Sequence, residues 1–515
     1  MLQVDERYLG SLAKDFCAQQ NISFAPINNT QPARPGAPKT GGGARGLKRL
    51  GYMVGARLHR AALRRMGRNR PLLALTRLYR MDALVQRARR EAPELPWVVR
   101  GESSGSPSGT ALLRRGLQAL TAGLGKNGGR RYLGEAWITL LERGAREDPS
   151  FVASLTGALD GLAGVVEKKT ELFSHRDIHF GPYYAAKIRT GITGAMRRQH
   201  LEIRSLDETL QLLRPRLVMT PFGRRSYHAL GEIARRRGIP GLLISHGSFT
   251  PAKDDLEEAA WRFHAFGMLH GSFEHAASQT PLAEAFAQQL TPPPKFVRTG
   301  PLSWGSVADQ EAAARLKAKM FPEQPNCRVV VHAGTPKIRG SNHFHVYETL
   351  DEYIAALREL VEGIGGVPNA FLVIKFRPQQ VTEEELRSLL PASDRFCISV
   401  DEPFLDVLGF SDLLVSFSST TIEEALLNRV PVLLYGGEGR YQHVAALEVN
   451  PDSQVEPRAV YAVRRPEHLT DALTRILDAN GGAPPPAELF RQYVYQPEEI
   501  TPFPELLRSL TGSGS

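Results

Sequence analysis

Cysteine is scarce in this chain of 515 residues. Cys17, Cys327 and Cys397 stand far apart with no C-x-x-C spacing, a pattern that excludes a zinc ribbon or a disulfide framework and predicts reduced thiols. No uninterrupted apolar run reaches the roughly 18 residues of a membrane-spanning helix, and the N-terminus lacks the charged-then-apolar layout of a signal peptide. A globular protein in the cytoplasm is the expectation. Acidic residues are missing from one place in particular: between Ala44 and Arg90, Asp82 stands alone against about fourteen Lys or Arg. The net charge of +10 is therefore unevenly distributed. Within that stretch Leu47, Leu50, Val54, Leu58, Ala61 and Ala62 fall near helical spacing among Arg57, Arg60, Arg64 and Arg65, the pattern of a basic interfacial helix. An anionic membrane surface is the favoured partner of residues 44–90, with RNA as its rival and a solvated basic face as the third reading. Aromatics suited to base stacking are sparse there and no RNP or KH pattern occurs, so no nucleic acid is expected.

At this length, with 42% hydrophobic residues, the chain has apolar material for two or three domains. Gln31 to Gly46 reads as a linker rich in Pro and Gly, and Gly101 to Gly109 as a second one. Helical patterning runs from Leu112 to about Thr170. From Leu206 helices alternate with short apolar strands: a helix to Leu213, LVMT at Leu217 to Thr220, a helix through Arg237, LLIS at Leu242 to Ser245 and a helix between Leu282 and Leu290. Pro292, Pro293 and Pro294 lead into KFVRTGPLSWG, which places a domain junction near Ser303. The rhythm resumes with strands at Arg328 to Gly334, Phe371 to Pro378, Leu413 to Ser416 and Pro431 to Gly436. The resulting expectation is a basic N-terminal extension over 1–110, a first α/β domain over 111–303 and a second over 304–485. A last helical stretch, 486–511, is placed to cross back. Ligands in doubly wound sheets sit beyond the C-terminal ends of the strands, so Gly334, Thr335, Lys375, Arg377 and Ser418 to Thr421 are expected to converge.

The segment SDLLVSFSSTTIEEALLNRVPVLLY, Ser411 to Tyr435, carries the most chemistry. A buried strand ends in Ser418, Ser419, Thr420 and Thr421 just before a helix, presenting hydroxyls and backbone N–H groups to an anion such as a nucleotide phosphate. One N-cap would account for a single hydroxyl residue, and four exceed that need. The loop HAGTPKIRG, His332 to Gly340, combines glycines with Lys337 and Arg339, and is placed either to close over phosphates or to serve as an ordinary surface loop.

With two α/β halves, SFSSTTIEEALLNRVPVLLY and GIPGLLISHG, the chain resembles glycosyltransferases of the GT-B fold. More narrowly it looks like bacterial surface-polysaccharide enzymes, which include Kdo transferases and CDP-glycerol glycerophosphotransferases, over roughly residues 175 to 450. The resemblance implies two Rossmann-like doubly wound domains facing a cleft. The donor nucleotide sugar would lie on the C-terminal domain and a glycan or glycolipid acceptor on the N-terminal one, with neither metal nor cofactor, at the cytoplasmic membrane face. It further implies that Ser418, Ser419 and Thr420 hold the donor phosphate and that Glu423 or Glu424 holds the ribose, the alternative being two glutamates that favour their helix start. Arg377 stands before Pro378 where many relatives carry His, and with Lys375 it suits a phosphate or a sugar carboxylate, making CMP-Kdo the first donor to consider. His246 before Gly247 is the candidate catalytic group at the acceptor, with Asp254, Asp255, Glu257 and Glu258 as alternative acids. Tyr435, Arg440 and His443 are placed along the same cleft. Glycerol-phosphate transfer, nucleotide-sugar 2-epimerisation and a non-catalytic polyanion-binding scaffold are the other readings.

Overall fold

A computed structural model of the protein describes residues 42–75, 81–101, 132–134, 148–175, 178–224, 226–245, 254–255, 257–258, 267–269, 271–290, 293–304, 307–334, 347–377, 382–481 and 485–512. His246, Thr335 and Lys337 lie outside these residues, as does most of the segment read as a first linker. The chain divides into two compact units, residues 1–73 with 96–216, and residues 74–95 with 217–515. Strand β1, Leu72–Leu75, spans the point of division.

In the first unit, β2 (Trp97–Gly101) pairs in parallel with β3 (Tyr132–Gly134), and β4 (Ser174–His175) forms a small antiparallel ribbon with β5 (Ile178–His179). The rest is helical. The helix Pro149–Lys168 begins at Asp148, whose carboxylate accepts from the N–H groups of Ser150 and Phe151, with Pro149 at the first helical position where its missing N–H costs nothing. Among the described helices it is long and apolar enough to cross a membrane by length and composition; Leu155, Leu159, Ala163 and Val166 are packed against Ala185 and Ile188, while Leu162 and Val165 are exposed.

The basic helix forms, over Gly42–Gly67, and of the expected apolar residues Ala62 is buried while others are not. Ala56, His59, Ala62 and Leu63 are enclosed, whereas Val54 is 38% exposed and Ala61 is exposed. Arg60 is bound to Glu208 through two nitrogens, Nε at 2.5 Å and Nη2 at 3.1 Å, so part of the basic face is tied to the helix Thr193–Leu213. Gly67 is pressed onto the end of that helix: a Cβ there would clash with the Leu212 carbonyl and lie 2.9 Å from that of Leu213. Backbone cannot retreat as a side chain can. Gly67→Ala is therefore expected to cost about 1–3 kcal/mol through overpacking, read as faster amide exchange along Gly42–Gly67, whereas unchanged exchange would contradict this contact.

The second unit carries two parallel sheets. In the first lobe β6 (Leu217–Thr220), β7 (Gly241–Leu243), β8 (His275–Ser278) and β9 (Lys295–Arg298) lie side by side in chain order, with the helix Ser226–Arg236 between the first two strands. In the second lobe the strands are β10 (Arg328–Ala333), β11 (Ala370–Lys375), β12 (Phe396–Ser399), β13 (Leu413–Ser416), β14 (Val432–Leu434), β15 (Leu447–Glu448) and β16 (Val460–Ala462). Their order is β12-β11-β10-β13-β14-β16-β15, all parallel.

Strand periodicity decides which face each side chain joins. Val330, Leu413, Val415 and Leu433 enter one core with the helices Leu350–Gly365 and Leu469–Ala479. Val329, Val331, Leu414, Val432 and Leu434 enter the other, with Phe321, Val407, Leu408, Ile422, Ala425 and Leu426. A sheet covered on both faces needs apolar residues at every position, which is why these strands read as continuous runs of Val, Leu and Ile. The expected α/β class, with parallel, doubly wound sheets, is the one the structure shows.

Two features join the lobes. Phe417, Tyr441 and Tyr347 pack with Phe222, Met268, Leu269 and Phe286 of the first lobe. The chain end returns as well: Tyr495 Oη meets Ser278 Oγ at 2.7 Å, Thr501 N donates to Arg298 O at 2.7 Å, and Arg508 of the helix Phe503–Thr511 pairs with Glu94 at 2.9 Å.

Candidate active site

The crossover after β10 uses the helix Leu350–Gly365 on one face, and the one after β13 uses the helix Thr421–Leu427 on the other. Because β10 and β13 are neighbours, their C-terminal ends flank the place where the winding reverses, and loops leaving in opposite directions open a crevice there. Gly334 stands at one rim and Ser418 at the other. The two ends are stitched together, since Ala333 O accepts from Ser416 Oγ at 2.7 Å and from Thr421 Oγ1 at 3.2 Å.

The four hydroxyl residues thus divide their work. Thr421 bonds back to β10, and Ser419 Oγ accepts from Thr421 N at 3.3 Å, a local cap. Thr420 occupies the N-cap position without capping through its side chain. Ser418, half-buried, points its Oγ to within 3.4 Å of His443 Nδ1. The following helix has seven residues, so its dipole adds little and the hydroxyls carry the chemistry of this turn.

Behind Ser418 lies a buried polar chain. His443 Nε2 is 2.8 Å from Glu423 Oε1, and both residues are enclosed, at 7% and 5% exposure. Tyr441 Oη is 3.5 Å from His443 Nδ1. Burial drives the Tyr441 phenol well above its ordinary range, helped by the negative charges of Glu257 and Glu423, so it stays a neutral hydroxyl. Glu257, buried in the first lobe, faces this group across the contact between lobes. Glu423 thus faces an imidazole where the resemblance implied a ribose, and Glu424, 1% exposed, is buried inside its helix face.

Not every expected residue joins this turn. Lys375 Nζ donates to Ser399 O at 3.2 Å and Val400 O at 2.6 Å, which turns it toward β12, on the side of β11 away from β13. Partial burial lowers its pKa against the pull of Glu402 and Asp401. Arg377 is exposed two residues past β11. Arg440 clamps Glu352 with two nitrogens at 2.6 and 2.9 Å, donates to Tyr347 O at 2.8 Å and lies 5.2 Å over the Phe417 ring. Tyr435 Oη donates to Glu359.

One buried carboxyl had no signal in the sequence. Glu348, 5% exposed, sits beneath Gly436 and accepts from the Gly437 N–H, while its Oε1 has no hydrogen-bond partner among the described residues. Desolvation, reinforced by Glu352, pushes its pKa up to about 8 despite the nearby Arg440. Next to it are Tyr353, raised in pKa by the same burial, and His332, its ring tilted against that of Tyr353 with centroids 5.5 Å apart and its pKa lowered to about 4 by complete enclosure. A shallow surface opening lies over Gly436, lined in part by Phe417, Tyr435, Tyr441 and Arg464.

No family model matches the chain, and no curated protein matches it. Among solved structures, UDP-GlcNAc 2-epimerase from Neisseria meningitidis bound to UDP-GlcNAc shares 12% identity over 86% of this chain and 100% of that one, with a TM-score of 0.45. The calicheamicin glycosyltransferase CalG4 shares 11% over 82% of this chain and 92% of that one, at 0.39. An Anabaena protein in complex with UDP and glucose shares 12% over 86% and 99%, at 0.38. At TM-scores below 0.5 none of these likenesses identifies the chain.

Proposed function

We propose that this chain is a nucleotide-sugar-dependent glycosyltransferase of the two-lobed GT-B type, with the donor phosphate held by Ser418 at the crevice between β10 and β13. One observation carries the reading: a hydroxyl with a buried imidazole behind it stands at the winding reversal of a doubly wound sheet, where such folds bind ligands. Phosphate oxygens are acceptors, and a preorganised hydroxyl in a partly dry crevice stabilises charge that grows as the sugar–phosphate bond breaks. Glu257 and the neighbouring exposed Asp254 and Asp255 lie on the facing lobe, where an acceptor hydroxyl would need a base. CMP-Kdo is the first donor to test, with Arg377 as the cation for its carboxylate. The acceptor in this reading is a surface glycan or glycolipid at a cytoplasmic membrane face, to which the basic segment 44–90 would attach the enzyme.

Calorimetric titration of CMP, CDP, UDP and GDP into the protein and into the Ser418→Ala/Ser419→Ala variant tests the site. Binding of one nucleotide, weakened about tenfold or more in the variant by loss of charge-assisted hydrogen bonds, is the expected result. Equal affinity in both proteins would remove the phosphate from this turn. Incubation of the matching nucleotide sugar without acceptor separates the chemistries, because an epimerase would convert it and a transferase would leave the sugar's configuration intact. Absence of binding by every nucleotide would return the chain to the scaffold reading.

A further inference from the structure

We infer that Glu423 and His443 act as a positioning pair that sets the hydrogen-bond polarity of Ser418, so that an anion arriving at the turn is bound together with one proton taken up from solvent. This rests on the phosphate site proposed above. Glu423 Oε1 lies 2.8 Å from His443 Nε2 and fixes that nitrogen as a donor, which leaves Nδ1 facing Ser418 Oγ at 3.4 Å and Tyr441 Oη at 3.5 Å. With a neutral ring, Nδ1 accepts one hydrogen, for which the Ser418 and Tyr441 hydroxyls compete, and where Ser418 supplies it that hydroxyl donates inward. The Ser418 oxygen then presents lone pairs to the crevice, which repels a phosphate. With a charged ring, Nδ1–H donates to Ser418 Oγ, and the hydroxyl hydrogen turns outward toward the phosphate oxygen. No bond between heavy atoms changes; the proton comes from solvent onto Nδ1 and returns there when the anion leaves. The groups facing the ring are Glu423 from the helix Thr421–Leu427, the neutral Tyr441, and Glu257 beyond Tyr441, with Tyr347 beside that phenol. Arg440 spends its charge on Glu352 and so does not oppose a second cation here.

This arrangement assigns Glu423 a role other than holding a sugar hydroxyl, and it makes affinity depend on pH. Inorganic pyrophosphate and UDP are titrated at about pH 6, 7 and 8, each in two buffers of different ionisation enthalpy, so that the proton count is measured directly. The wild type is expected to take up more protons than His443→Asn, the comparison cancelling the ionisation of the ligand itself. Its Kd is expected to weaken as pH rises, by at most about tenfold per pH unit, the limit for one linked proton. Glu423→Gln, which keeps the shape and removes the charge, is expected to lower the uptake, and Glu423→Asp to restore part of it. A ring that only fills space would leave the proton count unmoved. Binding of either ligand to the wild type with no more proton uptake than His443→Asn overturns the positioning pair and leaves the phosphate site standing. Absence of binding of both overturns the two together.

Discussion

Replacing Glu348 by glutamine is expected to make the protein more stable in mild alkali and to leave it nearly unchanged in mild acid. The carboxyl is enclosed beneath Gly436, and burial raises its pKa to about 8. A carboxyl with a raised folded-state pKa holds its proton in the fold longer than in the open chain. Its contribution is therefore fully present below the unfolded pKa, near 4.5, falls as pH rises through the interval, and levels off above about 8. Over that span the differential is on the order of 3 kcal/mol at pH 9, once partial relaxation around the charge is allowed for. Glutamine carries no charge to desolvate, and its amide oxygen can accept from the Gly437 N–H as the carboxyl does. Chemical denaturation at pH 5, 7 and 9 checks this. The wild type should lose ground to Glu348→Gln with each step, and parallel curves would show that the carboxyl escapes to water. His332 works in the opposite direction, since its pKa is lowered to about 4 and the stability it gives is lost as pH falls from about 6.5 toward that value. The fold thus keeps two neutral ionisable groups on either side of Tyr353, one limiting it in alkali and one in acid.

Neither group is visible in the sequence, and the reason separates what was legible from what was not. Strands β10, β11 and β13 are buried on both faces, so VVV, FLVI and LLV announce themselves, and Leu413 to Ser416 was read to the residue. Strands β8 and β12, HAAS and FCIS, are four residues long with small or polar members, and β9 was absorbed into the reading of a junction. Length and composition carry too little pattern there. The hydroxyl turn was legible as local chemistry because Ser418 to Thr421 are consecutive. His443, placed along the same cleft from the sequence, stands 25 positions away, and its contact with Ser418 depends on the β14 loop folding back over the end of β13. The same applies to Lys375: alternation along β11 places it at the strand end, but the carbonyls of Ser399 and Val400 decide where its ammonium goes. The apolar pattern of the basic helix includes Val54, Leu58, Ala61 and Ala62, whereas the buried residues are Ala56, His59, Ala62 and Leu63, so only Ala62 is common to both, because a basic sequence gives several shallow apolar stripes and only a partner selects among them.

That same β14 loop supports the second large effect: a methyl group added at Gly436 or Gly437 is expected to unseat the floor of the Ser418–Thr421 turn. Gly436 has φ +118°, a conformation that is essentially reserved for glycine, and Gly437 has φ +52°. A Cβ at Gly436 would stand 2.5 Å from Glu348 Oε1, and one at Gly437 would overlap the Phe417 ring, with Cζ at 2.6 Å. Strain and overlap together cost about 2–4 kcal/mol in Gly436→Ala, through forced backbone and a buried carboxyl with no room to move. In Gly437→Ala the ring is what must give. Phe417 is the residue before Ser418, it lies under Arg440 and packs on Tyr441, so displacing it drags the hydroxyl away from His443 Nδ1. Gly439→Ala is the internal control. Its φ of +66° is within the small left-handed region and its Cβ would meet only the flexible Arg464 side chain at 3.4 Å, so about 1 kcal/mol is expected with no change at the turn. Thermal unfolding and pyrophosphate titration of the three variants are read together. Stability should fall most in Gly436→Ala, and anion affinity should fall at least tenfold in Gly437→Ala while Gly439→Ala binds as the wild type does. If all three lose affinity equally, the loop acts through its overall mobility; if Gly437→Ala binds normally, Phe417 does not hold Ser418 in place, and the turn is set by its bonds to Ala333 alone.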